Sequence, residues 1–172
     1  GVEWIGEIPE HWEIKRLKHV LENKPFAIVD GPFGTQLHSS EYVDDGIPLM
    51  NVNNIDKNGN FMFDNIKYIS LEKFNELRRS EILPNDLLLA KTGATVGKIC
   101  IFPKYIERAL VSSRCLKISI DENTADYRFL FYFLYSSVGY DQIISHAKTT
   151  TMPGVNIPTI NNLQITYPPK EE

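Results

Sequence analysis

No uninterrupted apolar run in this chain exceeds seven residues, and the longest, Phe129 to Tyr135, is bounded by Arg128 and Ser136. A helix that crosses a bilayer needs roughly 20 apolar residues, so the sequence offers none. Its apolar segments are short and are separated by turns rich in Gly, Pro and Asn. Such segments form short strands and helices that must share a core. At 172 residues, 42% hydrophobic and 23% charged, the composition fits one ordinary globular domain spanning 1–172. The N-terminus lacks the charged-then-apolar layout of a signal peptide. The expectation is a cytoplasmic chain with no membrane partner. Cys100 and Cys115 lie in apolar segments, match no zinc or redox spacing, and read as buried reduced thiols.

The segments read as follows. Trp4 to Trp12 is an extended arm whose two tryptophans pack onto the body, and Leu17, Val20 and Leu21 suit a short helix. Ala27 to Asp30 is a strand entering the turn Gly31-Pro32-Phe33-Gly34-Thr35, and Ile47 to Val52 is another strand, ending at Asn53-Asn54. Ser70 N-caps a helix that places Leu71, Phe74 and Leu77 on one face and stops near Leu83-Pro84. Asp86–Lys91 and Lys98–Phe102 form a hairpin around a Gly-rich turn, and Leu110 to Ile120 reads as one strand. Tyr127 to His146 reads as the longest helix. Asn156 to Pro169 is a closing strand. Strict strand–helix alternation is missing, which favours a mixed α+β fold: a twisted, largely antiparallel or mixed sheet with a few packed helices.

The net charge of −4 argues against an electrostatic nucleic-acid binder, but the charge is uneven. Between Leu89 and Ile120 stand Lys91, Lys98, Lys104, Arg108, Arg114 and Lys117 against the single acid Glu107. From Gln142 to Lys170 there are Lys148 and Lys170 and no carboxylate. A face built from these stretches would be positive on an acidic body, as a DNA-contacting surface requires.

Motifs for chemistry fail on spacing. Gly93-Ala94-Thr95-Val96-Gly97-Lys98 is one residue too short between its glycines for a phosphate-binding P-loop, and Ile99 stands where Ser or Thr is needed. Pro84-Asn85-Asp86 with Lys91 resembles a metal-dependent nuclease core, but Leu89 occupies the place of the second acid. Tyr167-Pro168-Pro169-Lys170 has the wrong neighbours for an amino-methyltransferase motif. His11, His19, His38 and His146 show no metal-ligand spacing. No cofactor, metal or catalytic residue is therefore expected.

What remains is a set of turns carrying hydrogen-bonding and cationic groups. Lys91, Thr92, Lys98, Arg114 and Lys148 are candidate phosphate contacts. Gln36, His38, Asn53, Asn54, Thr149, Thr150 and Thr151 are candidate base readers. Gly31, Gly34, Gly93 and Gly97 are assigned to turn geometry.

In order along the chain, several segments resemble the target recognition domain of the specificity subunit of type I restriction-modification systems. They are Gly1 to Trp12, Gly31 to Thr35 with Leu37 and Tyr42, and Gly46-Ile47-Pro48 leading to Asn53-Asn54-Ile55. Asp86 to Leu89 with Lys91 to Lys98, and Asn156-Ile157 through Leu163 and Ile165 to Pro168-Pro169, complete the set. The resemblance implies a non-catalytic domain that binds double-stranded DNA and reads half of a split target. Its implied partners are separate modification (methyltransferase) and restriction subunits and a second recognition domain, in cis or by dimerisation. It also implies a long spacer helix after the prolines, and the sequence stops at Glu172, so an isolated domain or a half-length subunit is expected. Two other readings fit the residues: a subunit-interaction module with little DNA contact, and a DNA-modifying enzyme with unfamiliar residues.

Overall fold

The computed structural model describes residues 6–147 and 153–169. Its strands are β1 (Glu13–Arg16), β2 (Ile28–Asp30), β3 (Tyr42–Val43), β4 (Ile47–Met50), β5 (Lys67–Ile69), β6 (Glu81–Ile82), β7 (Leu87–Ala90), β8 (Ile99–Ile101), β9 (Ala109–Val111), β10 (Cys115–Ile118) and β11 (Gln164–Tyr167). Its α-helices are α1 (Leu71–Glu76), α2 (Tyr127–Tyr135), α3 (Ser137–Ala147) and α4 (Ile157–Asn161).

Two larger sheets and two helical layers stack in sequence, and β1 and β11 form a third, two-stranded sheet. One sheet has the order β2-β10-β7-β8 and the other β3-β5-β4-β9-β6. The first is antiparallel throughout; in the second, β4 and β9 run parallel. Side chains alternate across a strand, and the alternation in β7 and β10 divides the core. Leu87, Leu89, Leu116 and Ile118 meet Leu130, Leu134, Ile143 and Ile160 of the helices. Leu88, Ala90, Cys100 and Cys115 face Met50, Ile82, Ala109 and Val111 of the second sheet. The far side of that sheet, Leu49, Ile69 and Leu110, is closed by Phe74 and Leu77. Because both faces of β7 are covered, its four residues are all buried, which explains why it reads as a continuous apolar run. Burial pushes both cysteine thiols upward, so they stay protonated packing groups.

The structure corrects five expectations. The helix capped by Ser70 stops at Glu76, well short of Leu83-Pro84, because the chain tightens into the 3-10 turn Arg78–Ser80 and then enters β6. Tyr127 to His146 is two helices: the backbone is extended at Ser136, whose N–H bonds the Tyr132 carbonyl at 2.9 Å and whose hydroxyl bonds that of Phe133 at 2.7 Å. The same hydroxyl accepts from Gly139 N–H at 3.4 Å and so opens the next helix. Leu110 to Ile120 is two strands in different sheets, because the polar turn Ser112–Arg114, closed by Cys115 N–H to the Ser112 carbonyl at 3.0 Å, carries the chain across. Asn156 to Pro169 holds α4 before β11; the Asn156 side chain caps the helix by accepting from Thr159 N–H at 2.9 Å. Leu17–His19 is a single 3-10 turn, preceded by an unforeseen strand, β1, paired with β11. Trp12 packs edge-on against Phe129 at 5.4 Å, whereas Trp4 lies outside the described residues. Among the described residues no helix is long and apolar enough to cross a membrane.

Candidate functional site

Strand directions bring the predicted polar turns together. The C-terminal ends of β2 and β7 and the first residues of β8 and β10 lie at the same end of the four-stranded sheet, as the pairings Asp30 with Leu116, Ala90 with Cys115 and Leu89 with Ile99 require. The parallel strands β4 and β9 deliver Asn51 and Ser112 to the same place. Ser112 N–H bonds the Met50 carbonyl at 2.8 Å, and its hydroxyl bonds Asn51 Oδ1 at 3.3 Å. Gly31 locks the two sheets together here. A Cβ on it would lie 2.1 Å from the Val111 carbonyl oxygen and 2.2 Å from Ser112 C, so only glycine permits this approach.

The hairpin turn between β7 and β8 builds the centre. Gly93 (φ +76°) and Gly97 (φ +87°) take backbone conformations that L side chains rarely adopt. Their assignment to turn geometry therefore has a structural cause. Gly34 differs: its φ is not in the left-handed region and nothing lies within 4 Å of a Cβ placed there. The Lys91 carbonyl accepts from Val155 N–H at 2.9 Å, and Gly93 N–H bonds the Pro153 carbonyl at 2.8 Å. The chain on the far side of residues 148–152 is thereby tied to this end.

The candidate contacts separate by burial. Lys91 is 7% exposed; its ammonium pairs with Asp30 at 2.6 Å and lies 4.9 Å from the centre of the Phe33 ring. As a phosphate contact it is corrected: its charge is spent inside the fold. Asn54 is likewise corrected as a base reader. It is 2% exposed, its Oδ1 accepts from Asn51 N–H at 2.9 Å, and its Nδ2 donates to the Met62 and Asp64 carbonyls at 2.9 and 3.2 Å. Thr92 is half-buried, bridged to Gly154. Arg114 is exposed with its guanidinium beside Gly93, and Lys98 is half-buried within electrostatic reach of Asp56. The Asp56 carboxyl is held low first by the Asn60 side chain and only last by Lys98.

Gln36, His38 and Asn53 are exposed. Gln36 uses its Oε1 to accept from Phe33 N–H at 3.2 Å, which leaves its amide NH2 free to donate. Lys148, Thr149, Thr150 and Thr151 lie outside the described residues, between Ala147 and the tied Pro153.

Sequence reasoning overstated one stretch and missed another. Of the basic residues between Leu89 and Ile120, Lys117 is 4% exposed and pairs with Asp86 at 3.9 Å. Lys104 and Arg108 lie beyond β8, at the opposite end of the sheet. Arg78 and Arg79 carry no assignment in the sequence reading, which places them inside a helix running to Leu83, although two adjacent arginines are a visible signal. The 3-10 turn Arg78–Ser80 is anchored here by the Ser80 hydroxyl on the Asp30 carbonyl at 2.8 Å, and Arg79 stands 3.7 Å from Asp30 Oδ1 with its side chain 46% exposed. The assembled end presents exposed cations and amide, imidazole and hydroxyl groups on rigid strand ends. That arrangement suits a polyanion with readable edges.

The family described as the type I restriction modification DNA specificity domain matches residues 9–172. The type I restriction enzyme MjaVIII specificity subunit of Methanocaldococcus jannaschii is 26% identical over 171 residues, which cover 98% of this chain and 38% of that protein. The putative MjaX specificity subunit of the same organism is 24% identical over 172 residues, again 38% of its length. The chain thus spans well under half of the curated relatives it matches. Among solved structures, the HsdS subunit from Thermoanaerobacter tengcongensis superposes with a TM-score of 0.64 at 16% identity, over 96% of this chain and 35% of that one. At that identity the superposition establishes the α+β fold.

Proposed function

Because this chain belongs to the type I restriction modification DNA specificity domain family, we propose that it is a target recognition domain that binds duplex DNA and reads one half of a split site. The observation that carries this reading is the convergence of the turns after β2, β4, β7 and β9 at one cationic end. Arg114, Arg79 and Lys98, with Lys148, neutralise phosphates. Gln36, His38, Asn53 and the Thr149–Thr151 run read base edges. Thr92 stays a phosphate candidate through its backbone position. Methylation and cleavage belong to separate modification and restriction subunits in the cytoplasm. A spacer and a second recognition domain, in cis or from another copy, set the distance to the other half-site.

Fluorescence anisotropy with duplex pools tests this. Binding should be salt-dependent, with a log-log slope of about −3 to −4 at about −0.9 per phosphate contact. Arg114→Ala should make the slope shallower by about one unit on every sequence. Incubation with duplex, magnesium and labelled S-adenosylmethionine should yield neither cut nor labelled DNA. A slope that is flat, or label transfer that copurifies with the chain, would contradict the proposal.

A further inference from the structure

Phe33 is 53% exposed in the turn that follows β2. An exposed apolar side chain is ordinary on a protein surface; one whose backbone is clamped and whose ring packs on a buried ion pair is not. Gly31 is pinned against the Val111 and Ser112 backbone, and Pro32 is buried. Both backbone polar groups of Phe33 are engaged by one residue: its N–H donates to Gln36 Oε1 at 3.2 Å, and its carbonyl accepts from Gln36 N–H at 2.7 Å. The ring lies over the Lys91 ammonium at 4.9 Å, and that ammonium is itself held by Asp30 at 2.6 Å. One face of the ring is thus taken by a neutralised ion pair, while the ring as a whole stays half in solvent.

Resting on the proposed DNA-binding reading, we infer that Phe33 stacks on a base of the bound duplex and is a further DNA-contacting residue, insensitive to base identity. A benzyl group has no donor or acceptor with which to read a base edge, but every base presents a π-face, and apolar side chains at DNA interfaces insert at base steps. A stacking residue must be rigid to repay the cost of unstacking the duplex. The Gln36 clamp and the Lys91–Asp30 pair supply that rigidity. Gln36 is then a positioning residue for Phe33 through its Oε1 as well as a donor through its free NH2. The arrangement also accounts for a buried Lys91 in a cation-poor interior: its charge faces an aromatic ring and a carboxylate in place of phosphate.

The test uses the 172-residue chain and a duplex recovered from a random pool by its own binding, labelled with 2-aminopurine at successive positions. Phe33→Ala and Phe33→Leu should each weaken binding about tenfold with an unchanged salt slope, because no phosphate contact is lost. Both should abolish the 2-aminopurine brightening that marks the unstacked position in the wild-type complex. Phe33→Trp keeps a flat ring; it should retain affinity, and its indole should be quenched by the duplex where wild-type tryptophan emission is not. Circular dichroism establishes that each variant is folded, and Phe33→Leu decides the matter if Phe33→Ala is not. Wild-type affinity in Phe33→Leu, or an indole at position 33 unmoved at saturation, overturns the inference while leaving salt-dependent binding intact. A wild-type chain that binds no duplex fails the underlying reading instead, and this inference with it.

Discussion

At the residue scale, the glycines and cations that look alike in sequence are not equivalent in the fold. Gly31 and Gly34 flank the same Pro-Phe pair, yet only Gly31 meets backbone where a Cβ would stand. Gly31→Ala must push the β2 turn away from the β9 end and should cost at least about 1–3 kcal/mol, as overpacking does. Gly34→Ala meets open space and restricts the unfolded chain, so it should be neutral or stabilising by up to about 1 kcal/mol. Urea unfolding of the two variants measures the contrast, and equal midpoints would mean that the two sheets are not locked at Gly31. The same distinction separates Arg114, exposed beside Gly93, from Lys91, enclosed with Asp30 and Phe33.

At the element scale, the break between α2 and α3 is set by two residues. Ser136 ends one helix and caps the next. Gly139 sits where a Cβ would lie 2.3 Å from the Phe133 carbonyl oxygen and 2.5 Å from Leu134 Cα. The close approach lets α3 fold back beside α2, so that Leu134 and Ile143 enter one core over the four-stranded sheet. A continuous helix would carry the second half away from that sheet. Gly139→Ala should therefore lower stability by on the order of 2 kcal/mol and reduce amide-exchange protection across Ser137–Ala147 more than elsewhere. Uniform loss of protection would place the constraint outside the helix junction.

At the scale of the whole molecule, the two sheets enclose a buried ion pair. Lys117, on the same face of β10 as Cys115, stands 3.9 Å from Asp86, and both side chains are under a tenth exposed. Lys117 Nζ also donates to Ser119 Oγ at 2.7 Å, and Asp86 accepts from Leu83 N–H at 2.9 Å. Burial raises the Asp86 carboxyl above its ordinary range, with Lys117 opposing; burial lowers Lys117, with Asp86 opposing. Removing one partner strands the other, so Lys117→Met should cost about 3–5 kcal/mol at neutral pH. Adding Asp86→Asn should recover much of that loss, because the amide oxygen still accepts from Leu83. The pH dependence has a definite sign. With Lys117 gone, the folded state holds the Asp86 proton to higher pH than the unfolded chain, whose carboxyl titrates near about 3.9. Stability then falls as pH rises from about 4 toward neutrality. The Lys117→Met urea midpoint should approach that of wild type as pH is lowered, and the double variant should show no such convergence.

The local features were legible in the sequence because they depend on neighbours a few residues apart. Ser70 caps α1, accepting from Lys73 N–H at 3.1 Å. The β7–β8 hairpin closes on Gly93 and Gly97, and the failed spacing of its P-loop look-alike already separated this turn from nucleotide chemistry. The ordered turn motifs carried the family. The sequence could not show which of its cations face solvent, since Lys91 finds Asp30 and Lys117 finds Asp86 only through strand pairing across distant segments. Nor did apolar periodicity reveal that one run from Leu110 to Ile120 serves two sheets, because a two-sided core buries both faces of a strand and erases the alternation that would mark its end. The candidate site divides in the same way. Its polar turns are written locally, whereas their convergence, and the burial that removes Lys91 and Asn54 from it, exist only once two sheets pack face to face and desolvation decides which polar groups must be satisfied inside.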